Sequence, residues 1–315
     1  MSLVDAPVVA QVVRNGFVES VHHGIVVVTD DAGHVIWSVG DPATTVLPRS
    51  SLKPVQAVAM LRAGAPLTGE HLALACASHS GEPKHLAGVR AMLAASGLSV
   101  ADLRNTPDLP LGEPDRAAWL ASGRGKEPLA QNCSGKHAGM LSACVAAGWT
   151  TADYLDLQHP LQRLIVETVE QIAGETVTIS AVDGCGAPLH GFVFAGLARA
   201  FGRVASASAG VEKQVADALR AYPDFVGGEN RPDTGLMRAA SGVIAKEGAE
   251  GVFAVGLPDG RGVAVKIADG FRAGRTVAAA VLRELGLDGA ACDELALVPV
   301  LGHGERVGEV QPVGI

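Results

Sequence analysis

The sequence predicts an α+β fold, in which strands from the two ends of the chain form one antiparallel sheet and a helical region is inserted between them. Three observations carry this. Residues 7–40 hold four short β-branched runs separated by turn residues. A second β signal comes late, Val252 to Leu257 and Gly262 to Ile267 around the turn Pro258-Asp259-Gly260. The stretch between is mostly helical in pattern, with loops rich in glycine and proline.

Taken in order, Val8 to Val13, Val18 to Val21, Ile25 to Thr29 and Val35 to Val39 read as strands of an antiparallel meander. The breaks fall at Asn15-Gly16, His23-Gly24 and Asp30-Asp31-Ala32-Gly33. Helices are expected over 54–63, 84–96, 136–147, 160–173, 211–221 and 276–286, the last closed by Gly286. The first opens at Pro48-Arg49-Ser50-Ser51-Leu52-Lys53-Pro54. Proline has no N–H and is accepted only in a helix's first turn, which puts Ser50 at or near the N-cap and Lys53 one turn later. No repeat or linker divides the 315 residues, which read as a single catalytic domain, 1–315, or two packed lobes.

Composition excludes several classes. With 48% hydrophobic residues the chain can bury a large core, and its longest apolar runs, such as Ile25-Val26-Val27-Val28, are too short to span a bilayer. A net charge of −8 argues against nucleic-acid and anionic-membrane partners. Met1-Ser2-Leu3-Val4-Asp5 does not begin a signal peptide, so a cytoplasmic location is the expectation. The five cysteines, at 76, 133, 144, 185 and 292, do not form a disulfide pattern and are expected as reduced thiols.

Four short constellations carry chemistry. Ser50 and Lys53 form a Ser-x-x-Lys pair at a helix start, where burial and the helix dipole favour a neutral amine able to take a hydroxyl proton. From this motif alone an N-cap serine before a solvated lysine is the favoured reading, because Ser-x-x-Lys is common by chance. Cys76-Ala77-Ser78-His79-Ser80-Gly81-Glu82 reads as a tight functional loop or as a turn whose serines cap the next helix. Gln131-Asn132-Cys133-Ser134-Gly135-Lys136-His137 opens another helix, where a Cys133 thiolate would be stabilised. Asp183-Gly184-Cys185-Gly186-Ala187-Pro188 is a glycine-rich loop, and Cys133 and Cys185 could share a metal if folding joins them. Late in the chain, Lys266 interrupts the apolar run Val263 to Ile267, either as an outward edge lysine or as one turned into a site.

In order and spacing, these five segments resemble the Rhizobium etli-type L-asparaginases, the class 3 or asparaginase II family, from about residue 8 to about 270. The resemblance implies an α/β/α fold with helices on both faces of the sheet, similar to serine-dependent glutaminases and serine β-lactamase-like enzymes. It implies two serine–lysine pairs, Ser50 with Lys53 and Ser78 with Lys266. It implies zinc on Cys133, Lys136 and Cys185, substrate contacts from Arg49, Asp183, His137 and Asn132, and a homodimer. Ser51 beside Ser50 leaves two hydroxyls in competition, and Ser50 is preferred for its spacing to Lys53. The segment Glu229-Asn230-Arg231-Pro232-Asp233-Thr234 lacks an expected central glycine.

The expected activity is hydrolysis of L-asparagine to L-aspartate and ammonia, with Ser50 the preferred nucleophile over Ser78. Glutaminase or a related serine amidase is the near alternative, since one methylene in a pocket is worth only about 1–3 kcal/mol. A non-catalytic protein binding zinc or an amino acid is the distant one. No Lys-Thr-Gly strand motif of the penicillin-recognising enzymes is present.

Overall fold

The computed structural model describes residues 3–315. The chain divides into two compact units. One holds the chain up to Ser51, Phe192–Ser206 and Gly235–Ile315; the other holds Leu52–Gly191 and Ala207–Thr234.

The first unit is built on the expected sheet. Its strands run in the order 299–302, 305–312, 8–14, 17–29, 262–267, 252–256, 244–248, with 35–39 also paired to 17–29. Every pairing is antiparallel, and both ends of the chain contribute. Asn15 and Gly16 both take positive φ, 48° and 81°, as a tight hairpin turn between right-twisted strands requires. The expected break at His23-Gly24 is absent, and Phe17–Thr29 is one continuous strand. Gly24 is there for closeness instead of a turn, since a Cβ on it would lie 2.6 Å from the Lys266 carbonyl of the neighbouring strand.

Strand Gly262–Ile267 is buried at all six positions, so both of its faces are covered. On one face lies the helix Ala195–Ser206. A Cβ on Gly262 would sit 1.8 Å from the Ala198 carbonyl oxygen, and one on Gly256 would sit 2.2 Å from that of Phe201. On the other face, Val281 of the helix Gly274–Glu284 lines a cavity with Val28, the cross-strand partner of Val263. Helices therefore cover both faces of the sheet.

The second unit is the inserted helical region. Its helices are Lys53–Arg62, Gly69–Ala75, Pro83–Ala95, Glu113–Ala121, Ser134–Ala147, Pro160–Ala173, Gly210–Ala221 and Pro223–Val226. Ser134–Ala147 runs through the middle, buried from Ser134 to Cys144. Small residues permit this. Gly135 stands where a Cβ would be 2.3 Å from the Leu74 carbonyl, and one on Gly139 would meet Met60 and Ala75 within about 3 Å. Gly148 and Gly174 close two of the helices in the left-handed conformation.

Candidate active site

The site in the second unit begins with Lys53. The helix has Leu52, in helical conformation, at its N-cap, and Arg49–Leu52 form a 3-10 turn that runs straight into it. Ser50 lies inside that turn and does not cap the helix. No extended residue precedes the first turn, so no side chain there is set to receive the free amides. Of the two adjacent hydroxyls, that of Ser51 is buried and donates to the Pro48 carbonyl at 2.7 Å, while Ser50 is half-buried. Lys53 is the first helical residue and is 1% exposed. Its ammonium donates to the Ala77 carbonyl, to Ser78 Oγ at 3.0 Å and to Cys133 Sγ at 3.1 Å. Lys53 is thus held on Ser78, a serine its sequence spacing did not pair it with.

The loop bearing Ser78 is fixed from two sides. Ser78 N–H donates to Val226 O and Ser80 N–H to Gly227 O, while His79 N–H donates to Asn132 O. Gly228, φ +124°, lies so close that a Cβ would be 2.4 Å from Ser80 Oγ. The loop's serines do not cap the next helix. Glu82 does, in a box with His85. The His79 ring reaches Ser134 Oγ at 2.8 Å, and Ser134 in turn donates to Leu129 O. Burial, with His85 and Lys53 nearby, holds His79 well below its ordinary pKa and hence neutral.

Ser134–Ala147 aims the third group. Cys133 is its N-cap, and Cys133, Lys136 and His137 share one helix face. The antiparallel pair Ile179–Val182 and 188–191 presents Cys185 at its tip, where Gly186 takes φ +89° and Asp183 N–H donates to Ala187 O. Lys136 Nζ lies 3.1 Å from Cys185 Sγ, and the two cysteines hydrogen-bond each other. The pair shares one proton. The hydrogen bond from Cys133, with Lys136 beside it, brings Cys185 down to about 5, whereas that bond and burial push Cys133 up to about 12. The thiolate is therefore Cys185 and not Cys133: each sulfur has a lysine nitrogen 3.1 Å away, and what separates them is that Cys133 donates the hydrogen bond between them. Lys136 is driven upward by the two cysteines and Asp183 against the opposing effect of burial.

Asn132 Oδ1 accepts from Gln131 Nε2 at 3.0 Å and lies 3.1 Å from Cys133 Sγ. His137 Nδ1 is 2.8 Å from the Tyr154 hydroxyl. Tyr154, Gln131 and Asn105 were not nominated by the sequence. Gln131 Oε1 accepts both the Cys133 N–H and Asn105 Nδ2, and so sets the Cys133 turn. Only the polar character of Gln131-Asn132 hinted at this. The segment 229–234, which lacks the expected central glycine, has glycines just upstream, Gly227-Gly228, and Glu229 N–H donates to Glu82 Oε1.

Arg49, Ser50 and Lys266 belong to the first unit. Lys266 lies on an interior strand, which rules out the edge reading, and is 7% exposed. Its ammonium donates to the carbonyls of Glu250 and Ile267, and burial lowers its pKa against the pull of the Glu250 carboxylate. Arg49 and Glu250 both hold positive φ, 55° and 58°, and their charged groups are 3.9 Å apart.

Among the described residues, no three of His, Cys, Asp and Glu are grouped to hold a metal. The convergent set instead has two sulfurs and a lysine nitrogen, Cys133, Cys185 and Lys136, of which Cys133 and Lys136 must each give up a proton to bind a metal. With one sulfur already a thiolate, this donor chemistry fits a soft or borderline cation such as zinc. No described helix is long and apolar enough to cross a membrane.

A β-lactamase (Mb2281c) from Mycobacterium bovis is structurally similar over 83% of this chain and 94% of its own, with 18% identity and a TM-score of 0.49. Comparison with curated proteins finds no match. The family described as L-asparaginase II matches residues 10–312, nearly the whole chain. The chain belongs to the L-asparaginase II family, a family of amidohydrolases.

Proposed function

We propose that the protein hydrolyses the side-chain amide of L-asparagine, giving L-aspartate and ammonia, as an enzyme of the Rhizobium etli type. The observation that carries this is the buried Lys53–Ser78 pair, an amine 3.0 Å from a serine hydroxyl in a buried polar loop. Ser78 Oγ attacks the amide carbonyl as Lys53, in its neutral form, takes the hydroxyl proton. The same amine returns that proton to the departing nitrogen. The C–N bond breaks, ammonia leaves, and water hydrolyses the acyl-enzyme ester. Asp183, half-buried beside the cysteine loop, suits the substrate's ammonium group, and Asn132 and His137 its oxygens.

Zinc, held by Cys133, Lys136 and Cys185, would supply positive charge to orient the substrate. The serine–lysine pair already provides a nucleophile, and no step above depends on the metal.

The spacing argument favours Ser50 as nucleophile, and the hydrogen bond to Lys53 supports Ser78. Ammonia release from L-asparagine, L-glutamine and D-asparagine tests the activity, and Ser78→Ala beside Ser50→Ala tests the nucleophile. Loss of about 10³-fold or more in kcat for Ser78→Ala, with the acyl group trapped on the Ser78 peptide, is the expected result. Full activity of Ser78→Ala, or acylation of Ser50, refutes the assignment. Preference for L-glutamine keeps the chemistry and changes the substrate. Asparagine binding without ammonia release refutes the enzyme.

A further inference from the structure

We infer that Tyr154 is a positioning residue, whose hydroxyl sets the His137 ring so that Nε2 carries the proton and faces a carbonyl or carboxylate oxygen of the bound amide substrate. The ligand in this inference rests on the amidase reading above; the tautomer rests on counting hydrogen bonds.

The Tyr154 oxygen accepts the Arg104 backbone N–H at 3.2 Å. That group can only donate, so the phenol hydrogen is left for His137 Nδ1, 2.8 Å away. A ring nitrogen that accepts is unprotonated, and the proton of the neutral imidazole then sits on Nε2. His137 Nε2 is fully buried and has no hydrogen-bond partner in the protein. Buried N–H groups are nearly always paired, so a donor left over beside reactive groups points to an acceptor brought by a ligand.

The surroundings identify that ligand's place. The titratable groups near enough to act on the ring are Lys136, Cys133, Lys53 and Asp183, the set that includes the Ser78 partner. Tyr154 itself is wholly buried, lies edge-on to the His137 ring at 5.7 Å between centroids, and is pinned by Gln162 donating to its carbonyl at 2.7 Å. Its hydroxyl is held in place whatever the ligand does.

The test is the ring ¹H–¹⁵N spectrum of the full-length protein, with His137→Gln assigning the resonance. The expected result is the neutral Nε2–H pattern for His137 in the wild type and its loss in Tyr154→Phe. In the same variant kcat/KM on the best amide falls about tenfold, the size of one lost hydrogen bond. In the His137→Gln background, where an amide N–H needs no tautomer, Tyr154→Phe changes kcat/KM less than about twofold. An Nδ1–H pattern in the wild type, or an unchanged Nε2–H pattern in folded Tyr154→Phe, overturns the inference. Should Tyr154→Phe not fold, the wild-type spectrum decides alone: Nε2–H supports the assignment and Nδ1–H overturns it. A wild type that shows Nε2–H yet releases no ammonia from any amide refutes the amidase reading and upholds Tyr154 as the group that sets the ring.

Discussion

Acidification from pH 6.5 to 5.5 should destabilise the metal-free protein by an amount that its buried histidines and the Cys185 thiolate determine. His79 and His137 are wholly buried. Burial is the main cause that holds both well below 6.5, with His85 and Lys53 adding to it at His79 and Lys136 at His137. In the unfolded chain each ring titrates near 6.5. Below that pH the unfolded chain takes up protons the folded one refuses, so stability falls as pH falls. For an unfolded pKa of about 6.5 and no uptake when folded, RT ln(11/2) is about 1 kcal/mol per ring across this interval, or about 2 kcal/mol for the two. His85 and His190 are shifted the same way by burial and add to the loss, as does Cys185, a thiolate when folded and a protonated thiol when unfolded in this range. Unfolded carboxylates titrate near 4 and contribute little in this window. Urea unfolding at the two pH values, in the presence of a chelator, measures the difference. His79→Gln keeps a donor for Ser134 and should reduce the pH dependence by about 1 kcal/mol. Equal stability at both pH values, or greater stability at 5.5, refutes the reasoning.

Two further outcomes follow from close contacts. Gly262→Ala places a methyl 1.8 Å from the Ala198 carbonyl, a backbone atom that cannot step aside, and should cost at least about 2 kcal/mol in urea unfolding. Unchanged stability would show that the helix Ala195–Ser206 does not rest on that strand. Cys185→Ser removes the thiolate, and zinc content by elemental analysis should fall from about one per chain to near zero, as expected for a soft ligand set that has lost a sulfur. Retention of a full equivalent would exclude Cys185 as a ligand.

Much of the fold was legible because its signals are local. Runs of β-branched residues mark Val8–Arg14 and Val35–Val39, and Asn15-Gly16 marks a hairpin whatever surrounds it. The helices at 53–62, 83–95, 134–147, 160–173 and 210–221 agree with the expected ones within two residues at either end. The break placed at His23-Gly24 failed because glycine serves close approach as well as turning. Which of these it does depends on a strand more than two hundred residues away. Helices such as Ala195–Ser206 and Glu113–Ala121 were not expected, although the apolar residues of Ala195–Ser206 gather on one helical face.

By itself the sequence determined the material of the site: a lysine at a helix start, a serine-histidine loop, cysteines at 133 and 185, and the family to which their order belongs. Tertiary structure alone decided the partnerships. It joined Lys53 to Ser78, 25 residues on, and Lys136 to Cys185, 49 residues on. It also made Cys185 the thiolate, and brought Tyr154 to His137. Hydrogen bonds and pKa shifts depend on distances of a few ångströms, and residues far apart along the chain reach such distances only when the fold brings them together.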